Sequence, residues 1–251
     1  FISRVSPAGG ILQLKWIQDG VNGVTLNGPK GIWLHGEALY VSDCDTLRLF
    51  NRHTGKPIKN IPIPNPFPAG SPGFFLNDVV VASDGTVFLS ESNSGGLVKV
   101  DPKGKVTWLS TAPALDYPNG LVADDSDSVT FVTFGNEIMR LDERKLTIVA
   151  TIPAPDVSSL GLPPGTLSMD GLVRLPNGSY LATSWVTGSV YHVSKSGKML
   201  GVVAQLQSGF ADPAMIGAGP ADINVDLARD RVLIPVFMRN QLLIQDLDLD
   251  H

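Results

Sequence analysis

Five residues stand at equivalent places in a repeating pattern, Lys30, Asn77, Asn119, Asp170 and Ala221, and the first four have side chains that could do chemistry together. Three of the five carry short oxygen-bearing groups, two amides and one carboxylate. Carboxylate, amide carbonyl and water oxygens are the ligands of a hard cation such as Ca2+. The set lacks the His and Cys that zinc prefers. Asn and Asp are also common turn residues ahead of strands. Their recurrence at one position in successive repeats nevertheless favours a shared site. One carboxylate with two neutral amides ligates a divalent ion weakly, so a second carboxylate is expected. Lys30 offers an ammonium that can orient an anionic group or stabilise an oxyanion, or that can extend to the solvent rim.

The repeat is what places these residues. Five segments share one register: 28–43, 75–91, 117–134, 168–185 and 219–237. Each opens with a turn and a short apolar strand, followed by a polar turn and a second apolar strand. A third strand with period-2 alternation comes next (TLRLFN, LVKVDP, EIMRLD, SVYHVS, QLLIQD), often with a fourth beyond it. The five equivalent residues are 47, 42, 51 and 51 positions apart. Units of about 40–50 residues with four short strands have propeller spacing. No stretch sustains helical apolar periodicity, so helix content should be near zero.

The pattern predicts an all-β, six-bladed β-propeller as one domain over 1–251. Its parts are a half blade at 1–26 and blades at 27–66, 75–112, 117–152, 168–207 and 219–251. FISRVSP and GGILQLKWI read as third and fourth strands whose inner partners are missing, which sets the chain's start some 25–30 residues late by the repeat spacing. Five blades with an N-terminal strand pair covering one edge is the alternative.

Composition narrows the partners. The chain has 251 residues, 43% hydrophobic, with a net charge of −5. Lys and Arg are scattered singly, so no basic face is offered to nucleic acid. No run approaches the roughly 20 apolar residues that span a membrane as a helix. The one cysteine, Cys44, excludes an internal disulfide and a CxxC zinc site. A start at Phe1 suggests a processed form or a fragment; the expectation is a monomeric, extracytoplasmic bacterial protein acting on a small molecule.

The segments LNDVVVASDG, YPNGLV and SMDGLVRLPNG, in this order, resemble the SMP-30/gluconolactonase/LRE-like family of six-bladed propellers. That family lies near the paraoxonase-like and strictosidine-synthase-like propellers, and the resemblance runs over 28–251. It implies one divalent cation at the mouth, Ca2+ first, with Zn2+ or Mg2+ admissible. Carried over, the metal ligands are Asn119 and Asp170, with Asn77 as a further ligand or substrate contact. The family's first-blade Glu has no counterpart here.

The implied activity is a metal-dependent hydrolase that opens a lactone or related ester. The cation polarises the carbonyl and water attacks. Asp170 would serve as ligand and base, and Lys30 as the second catalytic group. The alternative is a non-catalytic, NHL-like propeller that binds a protein or small ligand, favoured by Lys30 and Ala221 among the five residues.

Pro-rich connections at 59–75 and 152–168 are expected to wall the pocket, with Phe74, Phe75 and Leu162 as apolar contacts and 208–219 closing a third side. Trp185 either borders the ligand or packs between blades. Asp43, Asp45 and Glu91 follow second strands and are expected at the opposite rim. The acidic run 124–128 reads as a link between the first two strands of its blade. His35, His53, His192 and His251 have no paired spacing, and no GxSxG elbow occurs.

Overall fold

The computed structural model describes residues 1–69, 71, 73–125, 127–158, 161–206, 219–237, 239–247 and 249. They form two compact units, Phe1–Tyr117 and Pro118–His251. Secondary structure is almost wholly strand, with no α-helix among the described residues and a 3-10 turn at Pro113–Leu115.

The first unit holds a hairpin and two four-stranded sheets. Strands β1 (Ile2–Val5) and β2 (Ile11–Ile17) form the hairpin. β3 (Pro29–His35), β4 (Ala38–Asp43), β5 (Thr46–Asn51) and β6 (Pro57–Pro62) form one antiparallel meander. β7 (Leu76–Val81), β8 (Val87–Glu91), β9 (Gly96–Val100) and β10 (Val106–Ser110) form the next. Leu47 and Ile63 of the first meander region pack with Leu76, Val79 and Leu89 of the second. The hairpin's Ile17 packs on Leu39, Val41 and Phe50.

The second unit repeats the plan. β11 (Leu121–Ala123), β12 (Ser128–Val132), β13 (Glu137–Asp142) and β14 (Lys145–Thr151) are followed by β15 (Met169–Arg174), β16 (Tyr180–Ser184), β17 (Ser189–Val193) and β18 (Met199–Gln205). A three-stranded sheet follows, of β19 (Asn224–Asp226), β20 (Arg231–Val236) and β21 (Gln241–Asp246). Val132, Ile138 and Ile152 pack against Leu172, Ala182 and Tyr191, and Leu181 and Val190 against Ile223 and Ile234. Five blade-like sheets are therefore present where six blades were expected. The described chain ahead of Pro29 supplies two strands, which make the hairpin rather than a blade.

Lys30, Asn77 and Asp170 lie on the first strands of their sheets, and a β-bulge sets each there, while Asn119 and Ala221 lie just ahead of β11 and β19. Pairing runs from Pro29–Asp43 to Ile32–Val41, from Leu76–Glu91 to Val79–Leu89, and from Met169–Ser184 to Leu172–Ala182. Two residues thus oppose one in each case: Lys30 and Gly31 face Ser42, Asn77 and Asp78 face Ser90, and Asp170 and Gly171 face Thr183. A bulge re-aims a side chain at the end of a sheet. It also strands a backbone N–H, and here a hydroxyl opposite accepts it. Gly31 donates to Ser42 Oγ (3.0 Å), Asp78 to Ser90 Oγ (2.9 Å) and Gly171 to Thr183 Oγ1 (2.7 Å).

Two of these hydroxyls reach onward to the next blade. Ser42 donates to the carbonyl of Asn77, and Thr183 to that of Ala221 at 2.7 Å. Blade 117–152 lacks the hydroxyl, and Gly120 N–H donates directly to the Asp170 carbonyl at 2.7 Å. This close approach is why glycine follows Lys30, Asn119 and Asp170. A Cβ on Gly171 would lie 2.6 Å from Ile223 N and 2.8 Å from Asp222 Cα, and one on Gly31 2.7 Å from Asp78 Cα.

Gly171→Ala should therefore cost about 2–4 kcal/mol, since the obstruction is backbone that cannot swing aside. Thr183→Val should cost roughly 1–3 kcal/mol by leaving the Gly171 N–H and the Ala221 carbonyl without their partner. Urea unfolding of the two variants measures both.

Candidate functional site

In the second unit the starts of successive first strands carry Asn119, Asp170 and a residue the repeat register passes over, Asp222. The repeat register matches Ala221 to the site position. Asp222, one residue on, stands where Asp78 does in its own blade. In both, Oδ1 accepts the N–H of the following residue at 2.7 Å, Val79 and Ile223 respectively. Asp170 lies on β15 and Asp222 just ahead of β19, the next first strand, and each is half-buried. Among the described residues neither forms an ion pair.

Two carboxyls so placed cannot both ionise freely. Burial, and then the Asp222 charge, push Asp170 up to about 7. Burial pushes Asp222 up to about 6, opposed by the Ile223 N–H. Asn119 adjoins this pair through its neighbour Gly120, bonded to the Asp170 carbonyl. Two carboxylates and an amide oxygen suit a hard cation and supply the second carboxylate that sequence reasoning lacked. No cluster of three or more His, Cys, Asp or Glu with metal-binding geometry occurs among the described residues, and the set offers nothing to favour zinc.

The first unit holds the cationic position. Lys30 Nζ lies 3.6 Å from the centre of the Phe75 ring and donates to the Gly28 carbonyl at 3.0 Å. Burial lowers its pKa, against the pull of Cys44 and Asp43. Asn77 Nδ2 donates to Ser92 Oγ at 3.0 Å, which leaves its amide oxygen to other partners.

Asp43 and Glu91 stand at this same end of their sheets, correcting the expectation of the opposite rim. Antiparallel pairing sets the last residue of a second strand beside the first residue of the first. Buried Asp43 pairs with Arg48 and accepts the N–H of Asn27 at 2.8 Å. Buried Glu91 accepts the N–H groups of Phe75 (3.0 Å) and Ser94 (2.9 Å), so it holds the strand start that carries Phe75. Burial raises the Glu91 pKa.

Trp185 and Phe74 lie against neighbouring aromatic rings. Trp185 lies 5.3 Å from Phe237 of the following sheet. Phe74 turns inward onto Trp108, with ring centres 5.9 Å apart, and is not a wall of open space. The 124–128 run links β11 and β12, where Asp124 pairs with Arg174 at 2.8 Å. The expected third wall, 208–219, lies outside the described residues except for Gly219.

Solved structures share this architecture. A gluconolactonase from Xanthomonas campestris matches at TM-score 0.59 and 14% identity, over 84% of this chain and 70% of that one. Virginiamycin B lyase from Staphylococcus aureus matches at 0.57 and 14%, over 88% and 70%. The calcium-binding protein regucalcin from Agrobacterium tumefaciens matches at 0.53 and 19%, over 82% and 66%. The chain is an all-β propeller. No protein-family model matches its sequence, and no curated protein does. At these identities the likeness of this propeller to a gluconolactonase and to regucalcin is one of fold.

The carboxyl pair makes stability depend on pH. Both groups keep their protons to higher pH when folded than when unfolded. Their destabilisation is therefore absent below about pH 4, grows as pH rises, and is complete above about pH 7. With chelator present, Asp222→Asn should raise Tm at pH 8 by a few degrees, at roughly 2–4 °C per kcal/mol for a chain of this size, and should give no gain at pH 4. A scan of Tm against pH checks this.

Proposed function

We propose that this propeller is a hydrolase that opens a lactone or related ester with water, assisted by one divalent cation. The observation that carries the reading is the Asp170–Asp222 carboxyl pair beside Asn119. Two half-buried acids without a compensating cation among the described residues are costly to the protein and useful to a ligand. The gluconolactonase and regucalcin folds among the structural neighbours support it.

Asn119, Asp170 and Asp222 would hold the cation through their oxygens, and Ca2+ is the ion whose preferences they fit. Bound there, it supplies carbonyl polarisation and a more acidic water. The protein's own share is positional and protonic. The bulge at Asp170 and Gly171, locked by Thr183, fixes the Asp170 carboxylate at the strand start. Asp222 Oδ1 is committed to the Ile223 N–H, which leaves Oδ2 to accept a proton from the attacking water. Ligation lowers basicity, so the Asp222 oxygen that takes the proton would be the one kept off the cation, with Asp222 ligating through Oδ1 alone.

The same reading completes the propeller with a sixth blade. Ile32 is 46% exposed, while its counterparts Val79, Leu121, Leu172 and Ile223 are 1%, 2%, 4% and 4% exposed. Leu34, two residues on, is 51% exposed. Both lie on the face whose neighbouring strand, through Leu39 and Val41, already carries the β1–β2 hairpin. Two inner strands extending that hairpin, from chain ahead of Phe1, would cover them.

Asp170→Asn should abolish hydrolysis of simple lactones, such as gluconolactone, while leaving Tm at pH 8 equal or higher. Asp222→Asn should lower turnover by about 100-fold or more, the scale of a lost general base. Lactone hydrolysis followed by pH-stat measures both. Unchanged turnover in Asp170→Asn contradicts the reading and favours a ligand-binding propeller. For the sixth blade, Ile32→Ser should be nearly neutral in the present chain. In a chain extended at the N-terminus it should cost about 2 kcal/mol, the scale of burying one large aliphatic side chain.

A further inference from the structure

We infer that Lys30, with Phe75 beneath it, is a binding site for a substrate carboxylate, so the molecule this protein acts on is an acid as well as an ester. The inference rests on the proposed hydrolysis only for which molecule carries that carboxylate. The site itself is argued from the first unit alone.

Half-buried charges are normally neutralised by a partner. Lys30 is half-buried and forms no ion pair among the described residues. The nearby carboxylate is already engaged, because Asp43 is held by Arg48 and by the N–H groups of Asn27 and Gly28. Of the three N–H donors on Nζ, the Gly28 carbonyl takes one. The face of Phe75 at 3.6 Å holds the cation without neutralising it. Glu91 anchors the backbone of Phe75, so the aromatic platform is built and not incidental.

Two donors on Lys30 Nζ remain for an anion that accepts two hydrogen bonds. A single ammonium, with Arg48 committed to Asp43, matches a monoanionic carboxylate better than a phosphate dianion, which draws on several donors. Burial lowers the Lys30 pKa, as expected for a charge awaiting its partner.

The chain carries its own reporter. Cys44 is its one cysteine and is partly accessible. A Cβ built on Gly28 would lie 3.1 Å from Cys44 Sγ and 3.6 Å from Lys30 Nζ, so thiol and ammonium flank one point. Iodoacetate and iodoacetamide alkylate a thiol by the same displacement. The thiol proton passes to buffer, sulfur bonds to the methylene carbon, the carbon–iodine bond breaks and iodide leaves. The two reagents differ in the carboxylate.

A carboxylate site at Lys30 should raise the iodoacetate-to-iodoacetamide rate ratio at Cys44 roughly ten-fold over that of glutathione, as a unit charge at this range would. The ratio should fall to the glutathione value in Lys30→Met and persist in Lys30→Arg. Equal ratios in wild type and Lys30→Met overturn the inference. Glutarate at constant ionic strength gives a second readout that does not depend on thiol reactivity. It should raise Tm of the wild type and not of Lys30→Met, and an equal shift in both, or none in the wild type, overturns the site. Neither readout needs hydrolysis. Failure here leaves the lactone reading standing, and absence of lactone turnover leaves the carboxylate site standing.

Discussion

In two of the blades a hydroxyl near the end of the second strand, opposite the start of the first, ties the site to the scaffold. Ser42 and Thr183 each accept the N–H left over by a bulge in their own sheet and donate to a backbone carbonyl of the next. A bond that serves two sheets at once fixes their spacing at the point where the chemical residues stand. Removing it would leave a buried donor and a buried acceptor unsatisfied, which is costly. The rest follows from this spacing. The first strands run so close that the residues after Lys30, Asn119 and Asp170 have little room. Gly31 and Gly171 make room for Asp78 and Asp222 of the next blade. The second carboxylate of the site therefore comes from a scaffold position, where the side chain folds back on the following N–H.

The buried charges divide into two kinds. Asp43 and Glu91 are fully engaged, one by Arg48 and backbone N–H groups, the other by backbone N–H groups alone. They hold strand starts in place and have nothing left for a ligand. Asp170 and Asp222 in one unit, and Lys30 in the other, are the opposite case. Each is removed from water without an ion-pair partner among the described residues. Electrostatic strain of this kind marks sites more often than it marks scaffold, although structural networks can also produce it.

Much of the fold was legible because its signals are local. Period-2 alternation, Gly-containing turns and a spacing of 40–50 residues need no long-range information, and they led to the propeller class. What failed depended on one-residue register or on pairing. Asp222 was missed because the repeat was matched on the residue before it, and a bulge makes adjacent residues trade roles. Its likeness to Asp78, also one place beyond a site position, was the available signal. Asp43 and Glu91 were set at the wrong rim although antiparallel pairing alone puts them beside Pro29 and Leu76. Phe74 was read as a pocket wall because sequence does not say which of two adjacent phenylalanines turns inward. Trp108 decides that, and Phe75 is left to Lys30.

The central claim is that the Asp170–Asp222 pair exists to hold a divalent cation. Calorimetric titration of chelator-stripped protein with Ca2+ at pH 6.5, in two buffers of different ionisation enthalpy, addresses it most directly. Metal ligation requires both carboxylates to be deprotonated. The account predicts binding accompanied by release of about one proton, the one the pair shares when Asp170 titrates near 7, with both heat and proton release lost in Asp170→Asn. Absence of binding, or binding without proton release, would contradict it.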